Sequence, residues 1–212
     1  MTEIITREVR LHDQFNMVAL SVIVFFDVSY LILTTDIEKI GTDEIGLDYY
    51  PIFLALITSF TIYLVIDVFY IFYQPSSVLG QPNAIIAHHL LTLGQLIIPW
   101  LNQTLSWHLA ITLIVEINSL VLTFRRNSHK DSISYKILNV LFYITWFLFR
   151  LILFPILSVF FYYEYIRCAA KLGYYNTMAV GFISQSLLTL MSYKWTYDIY
   201  MKFFSNKSKK SS

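Results

Sequence analysis

The chain has 212 residues, of which 57% are hydrophobic and only 14% charged, with a net charge of +1 and a mean hydropathy of +0.59. A soluble domain carries about a quarter charged residues, so this composition reads as a polytopic membrane protein, and the near-zero net charge excludes a nucleic-acid partner. The single cysteine, Cys168, excludes an intrachain disulfide and a cysteine zinc site.

Residues 1–14 are polar and mixed in charge, and read as a cytosolic N-terminal segment. A first helix is expected over Phe15–Thr34. Its length, its Asp27 and the lack of a small-residue cleavage site mark a retained helix, not a signal peptide. An acidic loop follows, with Asp36, Glu38, Asp43, Glu44 and Asp48. The second expected helix, Pro51–Tyr73, opens on a proline where no N–H is missed. A turn-rich link with Pro75, Gly80 and Pro82 leads to a third helix, Ala84–Leu101. A fourth is expected over Ser106–Phe124, then a basic loop with Arg125, Arg126, His129 and Lys130. The fifth, Ser134–Tyr163, contains Pro155, which should kink or break its distal end. The sixth covers Tyr174–Phe204, and residues 205–212 form a basic tail. The reading is one all-α membrane domain, residues 15–204, of six transmembrane helices.

Six spans put both termini on one side. The basic loop and the basic tail share that side, so both termini are expected to be cytosolic. Asn102-Gln103-Thr104 is then a lumenal glycosylation sequon that hugs the membrane.

The helices carry polar stripes at steps of three and four. Helix three has the adjacent pair His88 and His89, with Thr92 and Gln95 on the face of His88. Helix two has Ser59, Tyr63, Asp67, Tyr70 and Gln74. Helix four has His108, Thr112, Glu116, Ser119 and Thr123, and helix five has Asn139, Tyr143, Trp146 and Arg150. Helix six has Gln185, Thr189, Ser192 and Thr196, while helix one offers only Asp27 as a charge. Each stripe needs a neighbour other than lipid. A ring or barrel of six helices around a polar-lined central cavity meets that need.

At about 1.5 Å per residue, His88, His89, Asp67 and Glu116 share a layer in the cytosolic half. Imidazole beside carboxylate suits a general base or a nucleophile. The same groups also serve as interhelical hydrogen-bond cross-links. No His-x3-His spacing supports a metal, and no bound cofactor is expected. Asp27 and Arg150, both nearer the middle, read as an ion pair or a lipid-headgroup clamp.

The residues resemble the TLC domain family, the membrane domain of ceramide synthases, TRAM proteins and small stand-alone members. The matching segments are Tyr63-Leu64-Val65-Ile66-Asp67, His88-His89-Leu90-Leu91-Thr92 and Glu116-Ile117-Asn118-Ser119 with Arg125 following. Asn139 to Arg150 with Pro155, and Ser192-Tyr193-Lys194-Trp195, complete the match, which spans residues 15–204. The resemblance implies a six-helix lipid cavity in the endoplasmic reticulum and a role in lipid metabolism, binding or acylating a sphingolipid- or phospholipid-related molecule. It implies the paired histidines His88 and His89 in the site and acyl-CoA as a possible co-substrate; with the shared layer, the candidate catalytic residues are His88 or His89 as base or acyl-accepting nucleophile and Glu116 and Asp67 orienting it. Tyr63, Thr92, Gln95, Thr112, Asn118, Ser119, Trp146, Arg150 and Ser192 are the expected cavity residues. Ceramide synthases carry a His-Asp-x-x-Asp pattern where this chain reads Glu116-Ile117-Asn118-Ser119-Leu120, which counts against ceramide synthase activity. Two other classes stay open: a non-catalytic lipid sensor, and a cargo receptor of early secretory traffic. Lys209 and Lys210 fit a dilysine signal read by cytosolic coat proteins.

Overall fold

The computed structural model of the chain describes residues 7–34, 49–78, 80–101, 106–173 and 176–208. The acidic loop, the Asn102 sequon and the Lys209–Lys210 pair lie outside the described residues. The described regular structure is helical: α1 Arg7–Thr34, α2 Tyr50–Tyr73, α3 Pro82–Leu101, α4 Ser106–Leu113, α5 Glu116–Asn127, α6 Ile133–Thr145, α7 Phe154–Leu172 and α8 Thr177–Ser208. A π-helical segment, Trp146–Leu153, joins α6 to α7. Five stretches are long and apolar enough to cross a membrane: Arg7–Thr34, Tyr50–Tyr73, Pro82–Leu101, Ser106–Asn127 and Ile133–Lys171. Helix α8 has the length but is more polar, because its face carries Ser184, Gln185, Thr189 and Ser192, all buried.

The fold is apolar outside and polar inside. Phe25, Ile32, Phe69, Phe72, Leu101 and Leu190 are exposed, while Asp27, Asp67, Gln95, Asn118, Gln185 and Ser192 are buried. Water would drive the opposite sorting. Lipid permits this one, because hydrocarbon satisfies no polar group and each must find a partner inside the bundle.

Packing joins elements distant in sequence. Helix α1 lies against α2, α4 and α5; α2 lies on α3; α3 lies on α8; α8 lies on α7 and the π segment; α5 lies on α6. One apolar cluster, built on Tyr30, Phe53, Phe60 and Leu96, ties α1 to α2, α3 and α4. A second, with Ile98, Phe154, Phe161 and Met178, ties α3 to α7 and α8.

Four local features differ from the sequence expectation. Helix α1 begins at Arg7, not Phe15: its buried positions Val9, His12, Asp13, Asn16, Leu20, Ile23, Asp27, Tyr30 and Thr34 keep one helical face throughout. The fourth helix is broken. At Ile114–Val115 the N–H groups of Ile117 and Asn118 turn back to the carbonyls of Ile114 and Val115, three residues away. Pro155 does not break its helix. The turn widens just ahead of it, with Phe154 N–H bonding Phe149 O, so the ladder is already open where proline has no N–H to give. Tyr143, expected on the inner stripe, is 51% exposed, because only Phe142 of α6 is buried.

Candidate functional site

Helix α2 supplies the centre of the site. Asp67 is 1% exposed, and each of its oxygens meets a histidine. Oδ2 lies 2.8 Å from His89 Nε2 on α3, and Oδ1 lies 2.5 Å from His12 Nε2 on α1. A carboxylate only accepts, so both imidazoles donate from Nε2. Tyr63 and Tyr70, one turn either side of Asp67, each present a ring to one histidine. Tyr70 stacks on His12 at 5.4 Å, and Tyr63 stands edge-on to His89 at 6.1 Å. Asn16 Nδ2 sits beside the His12 ring, 3.5 Å from Nδ1 and 3.4 Å from Nε2.

His89 Nδ1 is buried and has no hydrogen-bond partner among the described residues, and the same holds for His88 Nδ1. The two rings are 5.6 Å apart, and His88 stands edge-on to Trp195 of α8 at 5.5 Å. The Trp195 ring also faces Arg150, whose guanidinium carbon lies 5.5 Å from it and 5.0 Å from the Trp146 ring. The π segment aims Arg150 inward, to 5% exposure, where Nε donates to Asn118 Oδ1 at 3.2 Å. Asn118 in turn donates to Phe142 O and Thr145 Oγ1, which locks α5 to α6. Glu116, at the start of α5, bonds to Ser119 and lies within electrostatic reach of Arg150, His89 and Asp67. Asp67, His88, His89, Glu116, Arg150, Trp146 and Trp195 thus converge from α2, α3, α5, α8 and the π segment.

The other expected positions divide between bonds inside one helix and bonds between helices. The hydroxyls of Thr92, Thr112 and Ser192 are taken up by the carbonyls of His88, His108 and Leu188 in their own helices. Gln95 bonds to Gln185, and Trp146 Nε1 donates to Thr196 at 3.0 Å. Near Gln95, a void of about 10 Å³, also lined by His108 and Phe161, has room for a single water.

Asp27 and Arg150 are not an ion pair. Both Asp27 oxygens are buried without a partner among the described residues, its charged neighbour is the Glu116 carboxylate, and Arg150 is held by Asn118 and two indoles. Arg125 and Arg126, expected in a basic loop, lie in the last turn of α5: Arg125 lies over the Phe142 ring and bonds to Asn139, and Arg126 pairs with Asp13 of α1. Lys130 is exposed.

Sequence reasoning missed His12, because it placed the residue in a polar segment ahead of the first helix. The signal was present: Val9, His12 and Asn16 continue the period of Leu20, Ile23 and Asp27 backwards.

A family model described as the TLC domain matches residues 9–201, a range that includes every residue of this cluster. No curated protein and no solved structure gives a significant match.

Proposed function

We propose a lipid-handling role from a plain premise: the chain belongs to the TLC domain family. In this reading it binds or acylates a sphingolipid- or phospholipid-related molecule within the bundle. The observation that carries it is the Asp67 clamp, which holds His89 by Nε2 and leaves Nδ1 bare and buried beside His88. A carboxylate behind an imidazole orients the ring and sets its tautomer, the arrangement a general base needs. The closed circuit of neighbours α1–α2–α3–α8–π segment–α6–α5 supports a ring of helices with a central lipid cavity.

As an acyltransferase the protein runs a balanced step. His89 Nδ1 takes the proton of the acceptor's amine or hydroxyl as that atom attacks the thioester carbonyl of acyl-CoA. The new amide or ester bond forms, the carbon–sulfur bond breaks, and the proton passes to the departing thiolate. His88 is the alternative base or acyl-accepting nucleophile, with Glu116 and Asp67 orienting the pair. Helix α5 reads Glu116-Ile117-Asn118-Ser119, without a His-Asp pair, so the reading departs from ceramide synthesis. The setting belongs to the same proposal: an endoplasmic reticulum membrane with both termini cytosolic, matching the small TLC domain-containing protein 4 type.

The test is lipidomics of a deletion strain rescued with His88→Ala/His89→Ala. The expected outcome is an altered acyl-chain profile at normal protein abundance. Full rescue by the stable double variant overturns the catalytic reading and favours a lipid sensor or a cargo receptor.

A further inference from the structure

Asp67 is bonded by two histidines, and only one of them belongs to the adjacent pair on α3. We propose that His12 is a positioning residue: through Asp67 it holds His89 as the Nε2–H tautomer, and so makes Nδ1 of His89 the bare nitrogen that meets the lipid substrate. The inference deepens, and rests on, the reading of the histidine pair as the working site.

The argument is one of hydrogen-bond roles. A buried carboxylate needs donors on both oxygens, because nothing in the surrounding hydrocarbon replaces them. Helix α3 gives one donor, from His89, and α1 gives the other, from His12. His12 is itself held to that role. Its ring lies flat on Tyr70, with the planes 2° apart, while Asn16 Nδ2 lies 3.5 Å from its Nδ1 and 3.4 Å from its Nε2 and so does not choose between the two nitrogens. The choice falls to Asp67: its Oδ1 lies 2.5 Å from Nε2 and only accepts, so Nε2 carries the proton.

Without that N–H, Oδ1 faces the interior alone. The way to satisfy Asp67 is then for it to hold a proton and donate it. Its partner across Oδ2 must accept, so His89 would turn Nε2 into the acceptor and carry its own proton on Nδ1. The nitrogen beside His88 would become a donor and lose its use as a base. His12 reaches the site from 55 positions away, and acts on His89 without touching it.

The experiment reads the tautomer directly and needs no substrate. The full chain is labelled with 15N-histidine and reconstituted in lipid nanodiscs, and the ring nitrogens of its five histidines are resolved by NMR. His89 is assigned by difference against His89→Gln. In the parent protein, a bare Nδ1 and a protonated Nε2 are expected, and the opposite assignment overturns the proposal without any variant. His12→Phe keeps a ring against Tyr70 and removes the donor, and it should shift His89 toward the Nδ1–H form. His12→Leu is a second donor-free variant. His12→Gln restores an N–H and should return the parent pattern. An unchanged His89 in either donor-free variant overturns the proposal. The same variants, placed in the deletion strain, separate the two readings. A shifted tautomer with a fully rescued lipid profile keeps the control of His89 by His12 and removes the catalytic role of His89.

Discussion

Gln95 on α3 and Gln185 on α8 join amide to amide: Gln95 Nε2 donates to Gln185 Oε1 at 2.9 Å across 90 positions of sequence, with both side chains 1% exposed or less. Gln185 Nε2 continues the chain to Phe154 O at 3.3 Å, so one line of amides links α3, α8 and α7. Gln185→Leu strands the Gln95 amide in an apolar interior, and an unfolding loss of about 1–2 kcal/mol is expected. Gln95→Leu/Gln185→Leu removes both partners and should lose less than the two single variants added together. Thermal unfolding in detergent measures this cycle, and strictly additive losses would show that the pair contributes nothing as a pair.

Asp27 gives a prediction of opposite sign. It is 1% exposed, neither oxygen has a partner among the described residues, and the nearby charge is another carboxylate, Glu116. Asp27→Asn keeps the shape and removes the repulsion. The variant is expected to be as stable as the parent or more stable by about 1 kcal/mol. A clear drop in unfolding temperature would show that the carboxylate does work its neighbours do not explain.

Two glycines in the α3–α8 contact should behave differently. A Cβ at Gly181 would stand 2.6 Å from Ile98 Cδ1 and 3.2 Å from Phe161 Cδ1. The tip of Ile98 can swing aside, but the Phe161 ring sits in the core cluster. Gly181→Leu should therefore lose about 1–3 kcal/mol by overpacking, with Gly181→Ala losing less. At Gly94 a Cβ meets Ser184 Oγ at 3.5 Å, an ordinary contact. Gly94→Ala is expected to be neutral or slightly stabilising, since alanine restricts the unfolded chain. Expression in membranes and detergent melting rank the three variants, and equal losses for Gly94→Ala and Gly181→Leu would refute the close approach at Gly181.

The tail prediction concerns residues outside the described structure. Under the proposed endoplasmic reticulum setting, replacing Lys209 and Lys210 by serine is expected to send the protein on to the Golgi or cell surface. Dilysine signals are addresses read by receptors, not anchors. Lys202, Lys207, Arg125 and Arg126 remain to hold the topology. Microscopy of the tagged variant decides it, and an unchanged reticular pattern leaves the tail as a charge cluster that sets orientation.

Much of the site was legible in one dimension. The period that put Asp67, His88, His89, Glu116 and Arg150 on inner faces follows from helix geometry and from the exclusion of polar groups from lipid, and all of these except His88 are under a tenth exposed. His88 is intermediate, turned toward Trp195. The same rule applied to Tyr143 failed, because α6 touches the bundle along a narrow line and leaves most of its surface outside. His12 was missed for a related reason. Charged neighbours at Arg7, Glu8 and Arg10 masked a helical face that only the packing of α1 against α2 and α5 makes an inner one.

By itself the sequence determined an all-helical membrane chain, the order of its helices and the residue types that must avoid lipid. These are local properties, set by hydropathy and by a repeat of 3.6 residues. Only the tertiary structure decided the partners: His12 with Asp67, Arg150 with Asn118 and two indoles and not with Asp27, Asp13 with Arg126. Two side chains on separate helices meet only when the rotation and depth of both helices agree, within about an ångström, along the whole of their packed length. That agreement depends on every contact in the bundle at once, including a break at Ile114–Val115 that no local pattern marks and a widened turn that Pro155 marks only as a disturbance, not in its form.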